Sequence, residues 1–443
     1  MKKSILSFLA VSMVYLCTSC DNGDRPMNLP TTNFTVTVEN VSMHKMFSSA
    51  GVFTTPVGSN SPGPIIPEGA YEFDIKASKG EKLSFVTMFA QSNDLFFAPS
   101  EAGIELYHPD GNPRSGDVTD EIMLWDAGTE VNEEPGVGPN QAPRQSAPNT
   151  GDNENGVVQL VDDGYTYPET SEVIKVTLEP MEDYMFKVRI ENVSTSSTLI
   201  SSMGSVTIPL SPGGWAVHTA PSPLFISGEA EMENGLEQIA EDGNAGVMGP
   251  YLAEHTGLNY PLSPGAWAVH TGGMPIYRLN QNDYGDGLEY IAEDGAPGVL
   301  ASSLNAISPV KVSGIFNIPT DADDPAPIGP GQKYEFSFSA HQSDKLSLAT
   351  MFVQSNDLFY AFDDMGIMLF EGGKPISGDI TGMLGLYDAG TEVNEEPGYG
   401  PNQAIRQAGP DTGETENEAI MPVNDGYSYP EINEIIRVTI TAK

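Results

Sequence analysis

Two cysteines occur in 443 residues, and both fall within the first twenty. Beyond that point the chain has no thiol for a disulfide, a zinc–thiolate site or a cysteine nucleophile. Basic residues are also scarce: 20 Lys and Arg stand against 61 Asp and Glu, a formal net charge of −41. That balance excludes nucleic acid and heparin-like polyanions as partners, because both are held by cationic side chains. It favours divalent cations and keeps an exported protein soluble. Only six histidines are present, none at zincin spacing. The sequence contains no Gly-x-Ser-x-Gly, no phosphate-cradling glycine loop and no His-Glu-x-x-His, so no enzymatic activity is expected. A hydrophobic content of 39% is enough for real cores and excludes wholesale disorder.

The two cysteines sit in a distinctive setting. Lys2 and Lys3 precede an apolar run from Ile5 to Leu16, followed by Cys17-Thr18-Ser19-Cys20. A basic start, a short apolar stretch and small residues before a cysteine describe an export signal, and the run is too short to span a membrane. The segment resembles a bacterial lipobox, in which the Cys20 thiol is acylated and the chain is cut just before it. It departs from that pattern in having Cys17 where leucine is usual, with Leu16 one place earlier. The expectation is a lipoprotein signal peptide over residues 1–19, a tether over 20–32, and a cell-envelope or outer-membrane protein held through a lipid anchor. An ordinary cleaved signal peptide is the alternative.

The remainder repeats itself at two levels. Phe34-Thr-Val-Thr-Val-Glu-Asn-Val-Ser42 returns as Phe186-Lys-Val-Arg-Ile-Glu-Asn-Val-Ser194, and Gln91-Ser-Asn-Asp-Leu-Phe96 as Gln354-Ser-Asn-Asp-Leu-Phe359. Asp126 to Gly136 returns unchanged as Asp388 to Gly398, and Asp163-Gly-Tyr-Thr-Tyr-Pro168 as Asp425-Gly-Tyr-Ser-Tyr-Pro430. These pairs predict two homologous domains, 33–180 and 184–443. A second duplication, 209–249 against 261–301, lies wholly inside the latter: Leu210-Ser-Pro-Gly-Gly-Trp-Ala-Val-His218 is echoed by Leu262-Ser-Pro-Gly-Ala-Trp-Ala-Val-His270. On this reading the second domain is the fuller one. The first is trimmed, keeping only a short link from His44 to Gly69.

Local pattern indicates an all-β chain. Phe34 to Val38, Tyr71 to Ile75, Phe186 to Ile190 and Tyr334 to Phe338 alternate apolar and polar residues at period two. Leu83 to Ala90 and Leu346 to Val353 are denser apolar runs suited to interior strands. Glycine (46) and proline (35) punctuate the turns. Only Gly235 to Glu241 and Gly287 to Glu293 suggest short helices. The expected fold is a tandem pair of antiparallel β-sandwiches, the second with a duplicated loop–helix block.

The order of these elements resembles the spondin N-terminal domain: a strand from Phe186 to Glu191, the Leu210-Ser-Pro-Gly block with its Ala-Val-His, the apolar Leu346 strand running into Ser355-Asn-Asp-Leu-Phe359, and Leu386-Tyr-Asp-Ala-Gly-Thr-Glu392. The family reads Asp-Ala-Gly-Thr-Asp where this chain has glutamate. The resemblance implies a C2-like sandwich whose loops bind calcium and a role in extracellular adhesion or matrix interaction, with an extracellular protein or glycan as partner.

The residues agree with a metal reading on their own terms. Calcium takes about six to eight oxygens, gathered from carboxylates, carbonyls and water. Asp357 and Asp388 fall at the ends of apolar strands, with Glu392 and Asn394 close behind. The matching set in the first repeat is Asp94, Asp126, Glu130 and Asn132. An EF-hand is excluded, since counting from Asp388 places Val393 and Tyr399 where that loop needs glycine and glutamate. The bland alternative is that Asp126 and Asp388 merely cap turns. His218 and His270, beside Trp215 and Trp267, fit packed hydrogen-bonded residues better than a transition-metal site. Glu241-Asp242-Gly243 and Glu293-Asp294-Gly295 fit a helix end with a glycine cap better than an acid/base pair. Tyr165, Tyr167, Tyr427 and Tyr429 flank Asp-Gly turns, where they could pack or bind sugar. Carbohydrate capture at the cell surface is thus the second functional expectation, and a secreted hydrolase using the same carboxylates the third.

Overall fold

The computed structural model describes residues 31–443 apart from Ser222. The signal segment 1–19, Cys20 and all but the last two residues of the 20–32 tether lie outside the described residues, and Thr32 already opens a strand. The fold is all-β. Its strands pair antiparallel and form two sandwiches, each from one four-stranded and one seven-stranded sheet.

In one sandwich the small sheet runs Ala70–Lys76, Met185–Asn192, Ile174–Pro180, Gly116–Asp117. The large sheet runs Ser49–Phe53, Leu210–His218, Lys82–Phe89, Leu95–Pro99, Ile122–Asp126, Gln159–Leu160, with Ile104–Glu105 as a seventh strand paired to Lys82–Phe89. The other sandwich repeats this plan. Its small sheet runs Lys333–Ala340, Thr32–Asn40, Ile436–Ala442, Gly378–Asp379. Its large sheet runs Val310–Phe316, Leu262–His270, Lys345–Phe352, Leu358–Phe362, Leu384–Asp388, Met421–Pro422, with Ile367–Met368 as a seventh strand paired to Lys345–Phe352.

Both faces of each large sheet are covered, which explains the dense apolar runs. In Lys82–Phe89, Phe85 and Phe89 join the core between the sheets, while Val86 joins a second core under the helices Leu236–Asp242 and Met248–His255. The same division occurs in the other sandwich, with the helices Leu288–Asp294 and Gly298–Leu304. Gly243 and Gly295, at φ 66° and 64°, close the first helix of each block in the left-handed conformation, as the sequence suggested.

The strand pairing overturns the expected boundaries. The opening strand does not join the first repeat: Val36 lies between Phe336 and Ile440 of the C-terminal sandwich. Its homologue does the converse, with Val188 between Phe73 and Leu178. The Leu210–His218 strand pairs with Ser49–Phe53 and Lys82–Phe89, whereas its echo Leu262–His270 pairs with Val310–Phe316 and Lys345–Phe352. Neither sandwich is trimmed, and the 209–249 and 261–301 blocks serve one sandwich each. One sandwich occupies a continuous stretch between about residue 45 and residue 256. The other is assembled from the strand before that stretch and everything after it. The two are nested, not tandem.

The inner sandwich holds the same elements in a rotated order, its opening strand and block coming last. Its ends therefore have to meet, and they do: Phe47 bridges Thr256, and the Met46 amide donates to the His255 carbonyl at 3.0 Å. Lys76 of the inner sandwich pairs with Glu396 of the outer and lies 4.5 Å from the centre of the Tyr399 ring, which stacks on Tyr184.

Candidate metal centre

The large sheets bring the predicted carboxylates together through register. Leu95 pairs with Asp126 and Leu358 with Asp388, so the residue preceding each leucine, Asp94 or Asp357, sits beside its partner aspartate at the same end of the sheet. The preceding turn is fixed by serine: Ser92 donates to the Phe89 carbonyl at 2.6 Å and accepts from the Leu95 amide at 3.1 Å. Ser355 repeats this with Phe352 and Leu358 at 2.6 and 3.1 Å.

Asp357 is fully buried. Its Oδ2 accepts from the amides of Thr391 and Glu392 at 2.9 and 3.1 Å and from the Thr391 hydroxyl at 3.3 Å, while Oδ1 has no partner. Asp388 accepts from the Gly390 amide at 2.7 Å and the Asn394 side-chain amide at 2.6 Å. In the inner sandwich Asp94 Oδ2 accepts from the amides of Thr129 and Glu130 at 2.8 and 3.0 Å. Asp126 accepts from the Gly128 amide and from Asn132, both at 2.7 Å. Asp94 Oδ1 and Asn132 Oδ1 are buried without partners. Asp126 and Asp388 thus do cap their turns, as the bland alternative required, and also face a second carboxyl.

Burial, with the neighbouring aspartate's charge adding to it, pushes Asp94 and Asp357 up to about 7. Asp126 and Asp388 are also raised, again chiefly by burial. Two adjacent carboxyls, both buried in the inner sandwich and one buried and one half-buried in the outer, are eased by sharing a proton or holding a cation between them. The donors are hard oxygens, carboxylate in both sandwiches and amide in the inner one, which suits a hard divalent ion.

No protein-family model matches the chain, and no curated protein matches it in sequence. The predicted quartets do not stay whole. Asp357, Asp388 and Asn394 assemble, as do Asp94, Asp126 and Asn132, but Glu392 and Glu130 turn elsewhere. Glu392 accepts from the Gly413 amide at 2.7 Å and from Asn356 at 3.4 Å. Glu130 accepts from Gly151 at 2.8 Å and Asn93 at 3.3 Å. Each faces a helical glutamate, Glu293 or Glu241, which burial pushes up to about 8. The sequence pattern places those glutamates at helix ends, in preference to an acid/base pair. Their repetition was the available signal, but the pattern could not say that the side chains turn inward toward the rim.

Access differs between the sandwiches. An acidic cavity lined by Asp388, Asn394, Glu416, Glu418, Asp425 and Tyr427 opens beside the outer pair. Asp126, the inner counterpart of Asp388, is buried.

His218 and His270 are packed. Each Nδ1 faces a carbonyl, Ala220 at 2.5 Å or Gly272 at 3.0 Å, and so carries the proton. Each Nε2 then accepts from a serine hydroxyl, Ser84 at 2.8 Å or Ser347 at 3.0 Å. Both nitrogens are engaged, and burial lowers both pKa values. Tyr167 and Tyr429 donate to Asp163 and Asp425 and pack on Phe89 and Phe352, whereas Tyr165 and Tyr427 are exposed.

Proposed function

We propose that this chain is an exported, lipid-anchored, spondin-like surface protein whose sandwich rims bind calcium, the ion fixing a loop face for adhesion or matrix interaction. The observation that carries the reading is the unpartnered Oδ1 of Asp357 and of Asp94, each fully buried against a second carboxyl. An uncompensated buried acceptor is costly unless a proton or cation completes it. The arrangement recurs in both sandwiches. The outer site has the open cavity and is the stronger of the two. The acidic surface matches an ion-collecting, soluble exterior. The partner is an extracellular protein or glycan that docks on the ordered rim.

Calcium titration of the metal-free protein, followed by thermal melting, tests this. A ligand bound only by the folded state raises the melting temperature, by roughly 2.7 kcal/mol of stability at a hundredfold excess over its Kd. Asp388→Ala should abolish the part of that shift due to the outer aspartate pair; an undiminished shift would mean the ion sits elsewhere. A second reading, glycan capture, is favoured by exposed Tyr427 lining the same acidic cavity. Glycan-array binding that survives chelation would promote it over the calcium-ordered face.

A further inference from the structure

Beside the aspartate pair of the outer sandwich lies a second group of acids. Carboxylate oxygens of Glu293, Glu392 and Asp411 all fall within 4.8 Å of one another. They come from three places in the chain: the end of the Leu288–Asp294 helix, the turn after Asp388, and the rim loop. Glu293 is 3% exposed, and its Oε1 has no hydrogen-bond partner. Glu392 is also buried, and Asp411 is exposed to solvent. Two oxygens on opposite sides of one calcium, each about 2.4 Å from it, are about 4.8 Å apart. The group therefore has the span of a coordination shell, with a buried floor and one open side. The helix is held close by another contact, Gln407 donating to Asp294 at 2.9 Å.

The inner sandwich provides an internal comparison. Glu241 and Glu130 occupy the places of Glu293 and Glu392. The Gly151 amide bonds Glu130 as the Gly413 amide bonds Glu392. Two residues before each glycine stands Asn149 or Asp411, both with positive φ, 52° and 53°. Asn149 donates to Glu237 at 3.3 Å. The inner group thus has two carboxylates and an amide where the outer has three carboxylates.

We propose that Glu293, Glu392 and Asp411 form a hard-cation site of calcium type, distinct from the Asp357–Asp388 pair and present only in the outer sandwich, that fastens the helical block to the rim loop. Three converging carboxylates on a buried floor repel one another unless a proton or a cation neutralises them, and replacing one with asparagine removes both a charge and a donor oxygen. None of its three carboxylates belongs to the aspartate pair, which touches it only through the Glu392 amide bonded to Asp357.

Calorimetric titration of the full chain with calcium counts the ions. Asp411→Asn, an exposed and near-isosteric change that copies the inner sandwich, should remove one bound ion or weaken it at least tenfold. Asn149→Asp should add one. Glu293→Gln, which keeps the buried shape, should act like Asp411→Asn. Stoichiometry and affinity unchanged in both Asp411→Asn and Glu293→Gln would overturn the proposal. Asp388→Ala separates the two sites: it should leave the Asp411-dependent ion in place, and loss of that ion with Asp388→Ala would show a single merged site.

Discussion

Phe34→Ala tests the nesting of the two sandwiches directly. Phe34 is fully buried, stacks on Phe338 at 5.6 Å and meets Phe370 edge-on at 5.7 Å. Truncating a buried phenylalanine costs about 3–5 kcal/mol. With aromatic partners on two sides, the upper part of that range applies, about 4–5 kcal/mol. A unit of roughly 200 residues loses about 2–4 °C per kcal/mol, so its transition should fall by roughly 8–20 °C. Which transition falls is the decisive point. Phe34 lies near the start of the chain but packs in the C-terminal core. Hydrogen exchange should therefore accelerate in Lys345–Phe352 and Leu358–Phe362 and leave Lys82–Phe89 protected. Phe186→Ala should do the reverse, since Phe186 belongs to the inner core and packs edge-on against Tyr107 at 5.3 Å. If Phe34→Ala loosened Lys82–Phe89 and spared Lys345–Phe352, the strand assignment would be wrong.

Further outcomes follow from the site and its surroundings. Asp94 and Asp357 have folded-state values raised to about 7 from 3.8, so the stability gained from the retained proton is complete at low pH and lost as pH rises through about 7. Metal-free melting temperatures should decline between about pH 4 and pH 8, calcium should restore them at the alkaline end, and Asp94→Asn with Asp357→Asn should make the slope shallower, the remainder coming from Glu241 and Glu293. An equally steep slope in that double variant would refute the assignment. His270→Leu leaves the buried Ser347 hydroxyl without its ring partner and should cost about 1–3 kcal/mol without changing calcium stoichiometry; chemical denaturation and calorimetry read the two effects separately. Gly366→Ala places a Cβ 2.7 Å from the Leu346 carbonyl and 2.8 Å from His270 Nε2 at φ +67°, so the outer sandwich should be destabilised by more than about 1 kcal/mol. A neutral melt would contradict the close approach.

Some of the site was legible beforehand because its chemistry is local. Asp-Ala-Gly-Thr-Glu and Ser-Asn-Asp recur, and the turns they form place Asp126 with Asn132 and Asp388 with Asn394 through bonds within one loop. Pairing Asp357 with Asp388 was within reach, because each ends or adjoins an apolar strand. Glu293 and Asp411 were not. Glu293 looked like a helix end, which it is, but its carboxylate direction depends on how the helix packs on the large sheet. Asp411 is not repeated as a carboxylate, since Asn149 stands in its place in the other copy, and it lies in a loop with no period.

The sequence by itself determined the period-two strands, the glycine-capped helices and the equivalence of every repeated segment, because each depends on neighbours a few residues away. Only the tertiary structure decided which copy each segment serves. Phe34-Thr-Val-Thr-Val and Phe186-Lys-Val-Arg-Ile carry the same alternating pattern, so either could fill the centre of either small sheet. What separates them is chain connection. The Thr32–Asn40 strand is separated from the outer block by an entire sandwich, whereas Met185–Asn192 follows Ile174–Pro180 through a short turn and pairs with it at once. Partnership is a long-range property set by loop closure and packing, and no local pattern records it.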